Sequence, residues 1–109
     1  MANEFANAQK VGVTTVQTVY TAAAGKTCIM LELDIANTTS AVVEASVQIF
    51  DTSATTSAYI VKNAPVPAGG SLMVIAGQKI VLEPTDIVKV TATGAVDVVA
   101  AILEDVNPA

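Results

Sequence analysis

Apolar and polar residues alternate with a period of two along much of this chain. Residues 27–36 show the pattern most clearly, and it predicts a β-strand with one face in the core and one face outside. The predicted core face comprises Ile29, Leu31, Leu33 and Ile35. The predicted outer face comprises Cys28, Met30, Glu32 and Asp34.

Two further segments alternate in the same way. In residues 41–51, the apolar positions predicted to face the core are Val43, Ala45, Val47 and Ile49. Residues 95–104 form the last predicted strand, and both of its faces are apolar. A strand of that kind belongs in the centre of a sheet or at an interface.

Turn-forming residues divide residues 62–90 into short apolar runs. Pro65 and Pro67 lack backbone donors, so their segment predicts a sheet edge or a loop. A Gly-Gly pair and residues 83–86 predict tight turns. The runs between them are too short for helices and rich in β-branched residues, so we predict an antiparallel meander. These runs are residues 71–75, 79–82 and 87–91.

With shorter segments at residues 9–13, 16–22 and 58–62, the chain contains eight or nine predicted strands and no helical pattern. This spacing predicts an all-β fold, an antiparallel β-sandwich or jelly roll of about eight strands. We predict one sandwich domain over residues 9–105. Residues 1–8 are predicted to form an extended N-terminal arm, and residues 106–109 a tail.

The composition favours contact with other protein molecules. Charged residues make up 14% of the chain, against about 25% in a typical soluble domain, so much of the surface must be uncharged. The alternative is a well-packed monomer with a threonine-rich exterior. The net charge of −5 and the lack of arginine argue against binding to nucleic acid or to an anionic membrane. Residues 1–9 have no signal-peptide pattern, so we expect synthesis in a cytoplasm.

No nucleophile in the sequence has the partner that catalysis requires. The chain has no histidine, so neither its serines nor Cys28 have the usual base. Cys28 lies in an apolar run and is predicted to be a buried or half-buried small apolar residue. We therefore predict that the protein is not an enzyme.

Acidic residues supply the remaining candidate chemistry. Two pairs occur, Glu83 with Asp86 and Glu104 with Asp105. Both lie in turn or terminal segments, where exposed carboxylates are poor acid–base catalysts near neutral pH. The same oxygens, with Asp51 or Asp97, are of the kind that Ca²⁺ prefers, but no EF-hand or repeat spacing accompanies them. We predict no metal and no cofactor.

Four segments resemble small structural proteins of tailed bacteriophages: residues 19–27, 31–39, 66–72 and 79–86. In such proteins a Thr-Ala-x-Gly-Lys segment, an Asn-Thr turn and a Pro-x-Gly-Gly-Ser segment leading to Leu-Glu-Pro-Gly-Asp recur. Here Thr85 stands where glycine is common in the last motif.

The resemblance implies a virion component, most often a decoration or cement protein on the capsid exterior. The implied partner is the major capsid protein, and the implied assembly is a homo-oligomer, a trimer or a dimer. Tail, neck or head-fibre modules that bind a host-surface glycan or protein are the alternatives. From the pattern of apolar positions we predict these interface residues: Phe5, Met30, Phe50, Tyr59, Val99 and Leu103.

Overall fold

The computed structural model describes residues 3–106, which form eight β-strands. No helix in this part of the chain is long and apolar enough to cross a membrane. The strands are β1 (Glu4–Val13), β2 (Gln17–Thr21), β3 (Cys28–Asn37), β4 (Val43–Asp51), β5 (Thr56–Val66), β6 (Ser71–Leu82), β7 (Ile87–Ala92) and β8 (Val96–Glu104).

The strands form two four-stranded antiparallel sheets packed face to face. One sheet has the order β1-β8-β3-β6 and is called the β8 sheet; the other has the order β2-β7-β4-β5 and is called the β7 sheet. Strands pair first with last, second with seventh, third with sixth and fourth with fifth, which is the winding of an eight-stranded jelly roll. The predicted all-β sandwich is confirmed, and β8 lies in the centre of its sheet as its two apolar faces indicated.

The meander predicted for residues 62–90 is wrong. Strands β5, β6 and β7 alternate between the sheets, because β5 pairs with β4, β6 pairs with β3, and β7 pairs with β4 and β2. Residues 71–75 and 79–82 belong to one strand, β6, which is interrupted at Gly77 and Lys79 by positive φ angles of 103° and 56°. Pro65 lies in β5, which is an edge strand as expected.

The predicted arm is a strand in the part that the structure describes. Residues 4–8 belong to β1, where Phe5 pairs with Leu103 and Ala8 with Ala100. Alanine and asparagine have weak strand propensity, so the sequence pattern here was faint, and the exposed edge of β8 supplies the pairing that local propensity does not. Met1 and Ala2 of the arm, and residues 107–109 of the tail, lie outside the described residues.

A β-bulge in β3 explains the main error in the predicted core. The pairing of β3 with both of its neighbours shifts between Met30 and Glu32. After the bulge, Leu33 and Ile35 are fully buried as predicted; before it, Cys28 and Met30 are fully buried, which contradicts their predicted outer position. An extra residue at a bulge reverses the faces of the residues on one side of it, and nothing in the alternation marks that position.

Candidate functional site

An apolar row crosses the outer face of the β8 sheet. Phe5 on β1 lies opposite Leu103 on β8, which lies opposite Ile29 on β3, which lies opposite Val81 on β6. Phe5 is 80% exposed and Val81 61% exposed, while Leu103 and Ile29 are half-buried. These four residues, called the apolar row, therefore present one apolar side chain from every strand of the sheet to the exterior.

A second apolar pair lies farther along the same face. Val99 on β8 and Met73 on β6 both pair with Asp34 of β3, which lies between them. Val99 is 48% exposed and Met73 66% exposed. The outer face of the β8 sheet thus carries exposed apolar groups at two levels, and a contiguous exposed apolar surface commonly marks a contact with another protein.

The ionisable side chains at paired positions on this face are acidic. Glu32 and Asp34 are close together on β3, and Asp97 lies on β8 opposite Ala36. The pKa of Glu32 is raised, first because its protonated carboxyl can hydrogen-bond Asp34 and then because the two like charges repel. Oδ1 of Asp34 is buried without a hydrogen-bond donor among residues 3–106. Negative charge on this face is therefore crowded, and it favours a partner that brings positive charge.

The opposite face of the molecule, on the β7 sheet, has a different character. The ring of Phe50 lies 5.1 Å from Nζ of Lys89, and the ring of Tyr59 lies 5.2 Å from Nζ of Lys62. Each lysine is within the range of a cation–π contact, so both aromatic rings already have a partner in the same chain. Of the two outer faces, that of the β8 sheet is the better candidate for a protein contact.

The structure divides the six predicted interface residues among three places. Phe5, Val99 and Leu103 lie on the outer face of the β8 sheet. Phe50 and Tyr59 lie on the β7 sheet, on the other side of the molecule. The prediction for Met30 is wrong, because the bulge in β3 turns its side chain into the core, where it is fully buried.

Sequence reasoning missed three residues on the candidate face: Ile29, Met73 and Val81. Ile29 was assigned to the core because the alternation of β3 was read across the bulge. Val81 had a usable signal, since residues 80–82 are apolar at three consecutive positions and neighbouring side chains of a strand point to opposite faces, so in a two-layer sandwich at least one of the three faces outward. Met73 had no signal beyond its position beside a buried valine and isoleucine.

A polar cluster with a buried thiol lies between β2, β3 and β8. The hydroxyl of Tyr20 donates a hydrogen bond to the carboxylate of Glu104 and lies 3.4 Å from Sγ of Cys28. Burial raises the pKa of Tyr20, and the neighbouring thiol and carboxylate raise it further, so the hydroxyl stays protonated. Cys28 is fully buried, which agrees with the prediction from its apolar run but not with its place on the outer face of the alternating pattern.

An acidic cleft opens at the end of the sandwich where the turn after β4 meets the turn after β6. The cleft has a volume of about 480 Å³ and is bounded by Ile49, Thr56, Ala58 and Val81 together with three acidic residues. These acidic residues, called the carboxylate cluster, are Asp51, Glu83 and Asp86. One carboxylate oxygen from each lies within 4.8 Å of the others.

Hydrogen bonds hold this end of the sandwich together. The hydroxyl groups of Thr52 and Thr85 bond to each other and so join the two turns. Oδ1 of Asp51 accepts hydrogen bonds from the backbone and hydroxyl of Ser53 and from the backbone of Ala54, and these bonds lower the pKa of Asp51. The carboxylate of Asp51 therefore has a fixed position at the mouth of the cleft.

No protein-family model matches this chain, and no curated protein matches it by sequence. Among solved structures, it is similar to part of a chain in the structure of infectious bursal disease virus Gt strain, with a TM-score of 0.37 and 11% sequence identity. The match covers 95% of this chain and 35% of that one, so this chain spans about a third of the length of the viral chain. A similarity of this size identifies no function.

Proposed function

We propose that this protein is a non-enzymatic structural component of a phage virion, a decoration or cement protein that binds the capsid exterior. The observation that carries the proposal is the outer face of the β8 sheet, where every strand presents an apolar side chain to the exterior. The resemblance of the turn segments to small phage structural proteins supports the same function. Jelly rolls also occur in capsid proteins, but the fold is shared by many functions and adds only an analogy.

The chemistry of this face indicates what the partner must offer. The apolar row requires an apolar surface, and the acidic group of Glu32, Asp34 and Asp97 favours lysine or arginine around it. We propose the major capsid protein as that partner. The molecule measures 47 by 27 Å along its two longer axes, so one sheet face is large enough for the roughly 800 Å² per partner of a stable interface.

The proposal includes self-association of this chain as a dimer or trimer. Strands β1 and β6 are the free edges of the β8 sheet, and the end of the apolar row at Phe5 lies on β1. A symmetric oligomer would bring several copies of the same face to neighbouring capsid subunits, which multiplies a weak contact into a strong one. Binding to the assembled capsid would stabilise that capsid by mass action.

The proposal requires no catalytic group, cofactor or nucleic acid. The protein would be made in the host cytoplasm and would reside on the virion exterior. A tail, neck or head-fibre module that binds a host-surface glycan or protein remains the alternative to be separated by experiment.

Co-sedimentation with purified capsids of the producing phage tests the proposal, together with light scattering over a dilution series. We expect a stable oligomer that sediments with capsids. Phe5→Ser and Val99→Ser should weaken capsid binding, because both remove apolar surface from the candidate face. Val42→Ser is the matched control, since Val42 is 64% exposed and lies outside the sheets.

Two results would overturn the proposal. A monomer that does not sediment with capsids would favour the host-binding module, and a glycan array would then be the next measurement. Capsid binding that is equally strong in the wild type, Phe5→Ser and Val99→Ser would show that the outer face of the β8 sheet is not the contact surface.

A further inference from the structure

The carboxylate cluster has a feature that solvated acidic groups do not show. Asp86 is only 4% exposed, and its Oδ1 is buried without a hydrogen-bond donor among residues 3–106. Its Oδ2 accepts a single hydrogen bond of 3.0 Å from the backbone N–H of Glu83. A buried carboxylate oxygen that lacks a partner is costly, and such groups are normally satisfied by a donor or by a metal ion.

The other two carboxylates of the cluster face the same place. The ligand oxygens of Asp51, Glu83 and Asp86 lie within 4.8 Å of one another. Two oxygens that bind one Ca²⁺ at its usual bond lengths are at most about 5 Å apart, so one ion can contact all three carboxylates. Both the spacing and the unpartnered oxygen therefore indicate a cation.

We propose that Asp51, Glu83 and Asp86 form a binding site for one Ca²⁺ ion. All three ligands are carboxylate oxygens, and Ca²⁺ is a hard cation that prefers oxygen ligands over nitrogen or sulfur. The open cleft leaves room for water molecules to complete the six to eight ligands that are typical of Ca²⁺. Mg²⁺ fits less well, because it demands near-ideal octahedral geometry from ligands that here come from two separate turns.

Hydrogen bonds with the local backbone order the ligand residues in the absence of an ion. The bonds from Ser53 and Ala54 hold Oδ1 of Asp51 and leave its second oxygen available. The bond between the backbone N–H of Asp86 and the carbonyl of Glu83, 3.0 Å long, closes the turn that carries the other two ligands. Ordering of ligands before binding reduces the entropic cost of binding.

An ion at this position would join the two sheets. Asp51 ends β4 of the β7 sheet, whereas Glu83 follows β6 of the β8 sheet. The hydroxyl contact between Thr52 and Thr85 is the weaker bond that already spans the same gap. Ca²⁺ is therefore expected to stabilise this end of the sandwich, and this inference stands independently of the proposed capsid function.

Titration calorimetry with CaCl₂ and thermal unfolding with and without CaCl₂ test the site. We expect one ion per chain, a dissociation constant of about 10⁻⁴–10⁻³ M, and weaker binding of MgCl₂. At about 10 mM CaCl₂ the melting temperature should rise by about 6–12 °C, because an ion that binds only the folded state stabilises it.

Asp86→Asn and Asp51→Asn separate this site from non-specific binding of Ca²⁺. Each should lower the affinity by more than about tenfold and clearly reduce the rise in melting temperature at the same CaCl₂ concentration. Glu44→Gln, which removes an exposed carboxylate at the start of β4, the opposite end of that strand from Asp51, is the charge-matched control and should bind as the wild type does. Asp86→Asn should keep its fold in the absence of Ca²⁺, since it removes a buried charge. No heat of binding and no rise in melting temperature would overturn the proposal, as would equal binding by the Asp51→Asn variant.

Discussion

The side-chain Nδ2 of Asn37 donates a hydrogen bond of 3.0 Å to the backbone carbonyl of Val66, 29 positions along the chain. The same amide contacts the carbonyl oxygens of Ala41 at 2.7 Å and Pro67 at 3.2 Å. Its Oδ1 accepts from the backbone N–H and the hydroxyl of Thr39, each at 2.8 Å. Asn37 is 3% exposed, so one buried side chain fixes both the turn after β3 and the end of β5.

Replacement of Asn37 by alanine is expected to lower the free energy of unfolding by about 2–3 kcal/mol, because buried carbonyl groups would lose their donor. Urea unfolding measures this change. Thr38→Ala is the control in the same turn, since it removes an exposed hydroxyl bond of 3.1 Å to Ala95 and should cost less than about 1 kcal/mol. Equal losses for the two variants would contradict the role assigned to Asn37.

The bulge in β3 leads to a second prediction. It concerns which side chains of β3 face the core, and it separates the observed arrangement from the one that an uninterrupted alternation would give. Met30 is fully buried, whereas Ile29 is half-buried on the outer face. Met30→Ala should therefore lower the free energy of unfolding by about 2–5 kcal/mol, and Ile29→Ala by clearly less. Leu33→Ala, on the core side after the bulge, should match Met30→Ala. A greater loss for Ile29→Ala than for Met30→Ala would show that the alternation continues through Leu31.

Much of this fold could be predicted from the sequence, and the errors have a common cause. Period-two patterning identified the fold as all-β. It also identified the core face of β4, where Val43, Ala45 and Val47 are buried as predicted. Patterning carries no information on which strands pair, so the jelly-roll winding was read as a meander. It also carries no information on bulges, so Met30 was placed outside and Ile29 inside.

The candidate sites could be predicted only in part from the sequence, for the same reason. Phe5, Val99 and Leu103 were predicted as interface residues, but their alignment in one face depends on the pairing of β1 with β8. The pair Glu83 and Asp86 was noted as a possible source of Ca²⁺ ligands, with either Asp51 or Asp97 as the additional ligand. Only the winding of the chain brings the turn after β4 beside the turn after β6, because Asp51 is more than 30 positions from Glu83 and Asp86 in sequence.

The third prediction concerns Thr85, which has a backbone conformation that a β-branched residue rarely adopts. Its φ is 70°, and it occupies the third position of a turn closed by the bond from the N–H of Asp86 to the carbonyl of Glu83. Gly69, with a φ of 68°, occupies the same position in the turn closed from Gly70 to Pro67. Both are type II turns, in which the third position favours glycine.

Thr85→Gly is therefore expected to raise the free energy of unfolding by about 0.5–1 kcal/mol, as relief of strain exceeds the entropy that glycine adds to the unfolded chain. The converse variant Gly69→Thr should lower it by about 1–2 kcal/mol, because a Cβ there meets open space and only the backbone strain counts. Thermal and urea unfolding of both variants measure the effect. Destabilisation by Thr85→Gly would show that the hydroxyl bond to Thr52 outweighs the strain.

The final prediction concerns the pH dependence of the pair Glu32 and Asp34. The pKa of Glu32 is raised above its ordinary value of 4.5, so the folded protein binds this proton more tightly than the unfolded chain does. The contribution of Glu32 protonation to the stability of the folded state is therefore complete below pH 4.5, and it disappears as the pH rises through the raised pKa. Glu32→Gln keeps a hydrogen-bond donor beside Asp34 and removes the like charge, so it should be more stable than the wild type at pH 7. The difference between the two should shrink or vanish near pH 4.

Thermal unfolding of wild type and Glu32→Gln from pH 4 to pH 7 measures that difference. Asp51, whose lowered pKa acts in the opposite direction and favours folding at higher pH, is present in both proteins and cancels from the comparison. Glu44→Gln is the control for loss of one exposed negative charge, because Glu44 lies on the other sheet, away from Asp34. If Glu32→Gln and Glu44→Gln change with pH in the same way, repulsion between the two neighbouring carboxylates is not the cause. If only Glu32→Gln gains stability at pH 7, the crowded acidic group on the candidate face carries an electrostatic cost that a basic partner would relieve.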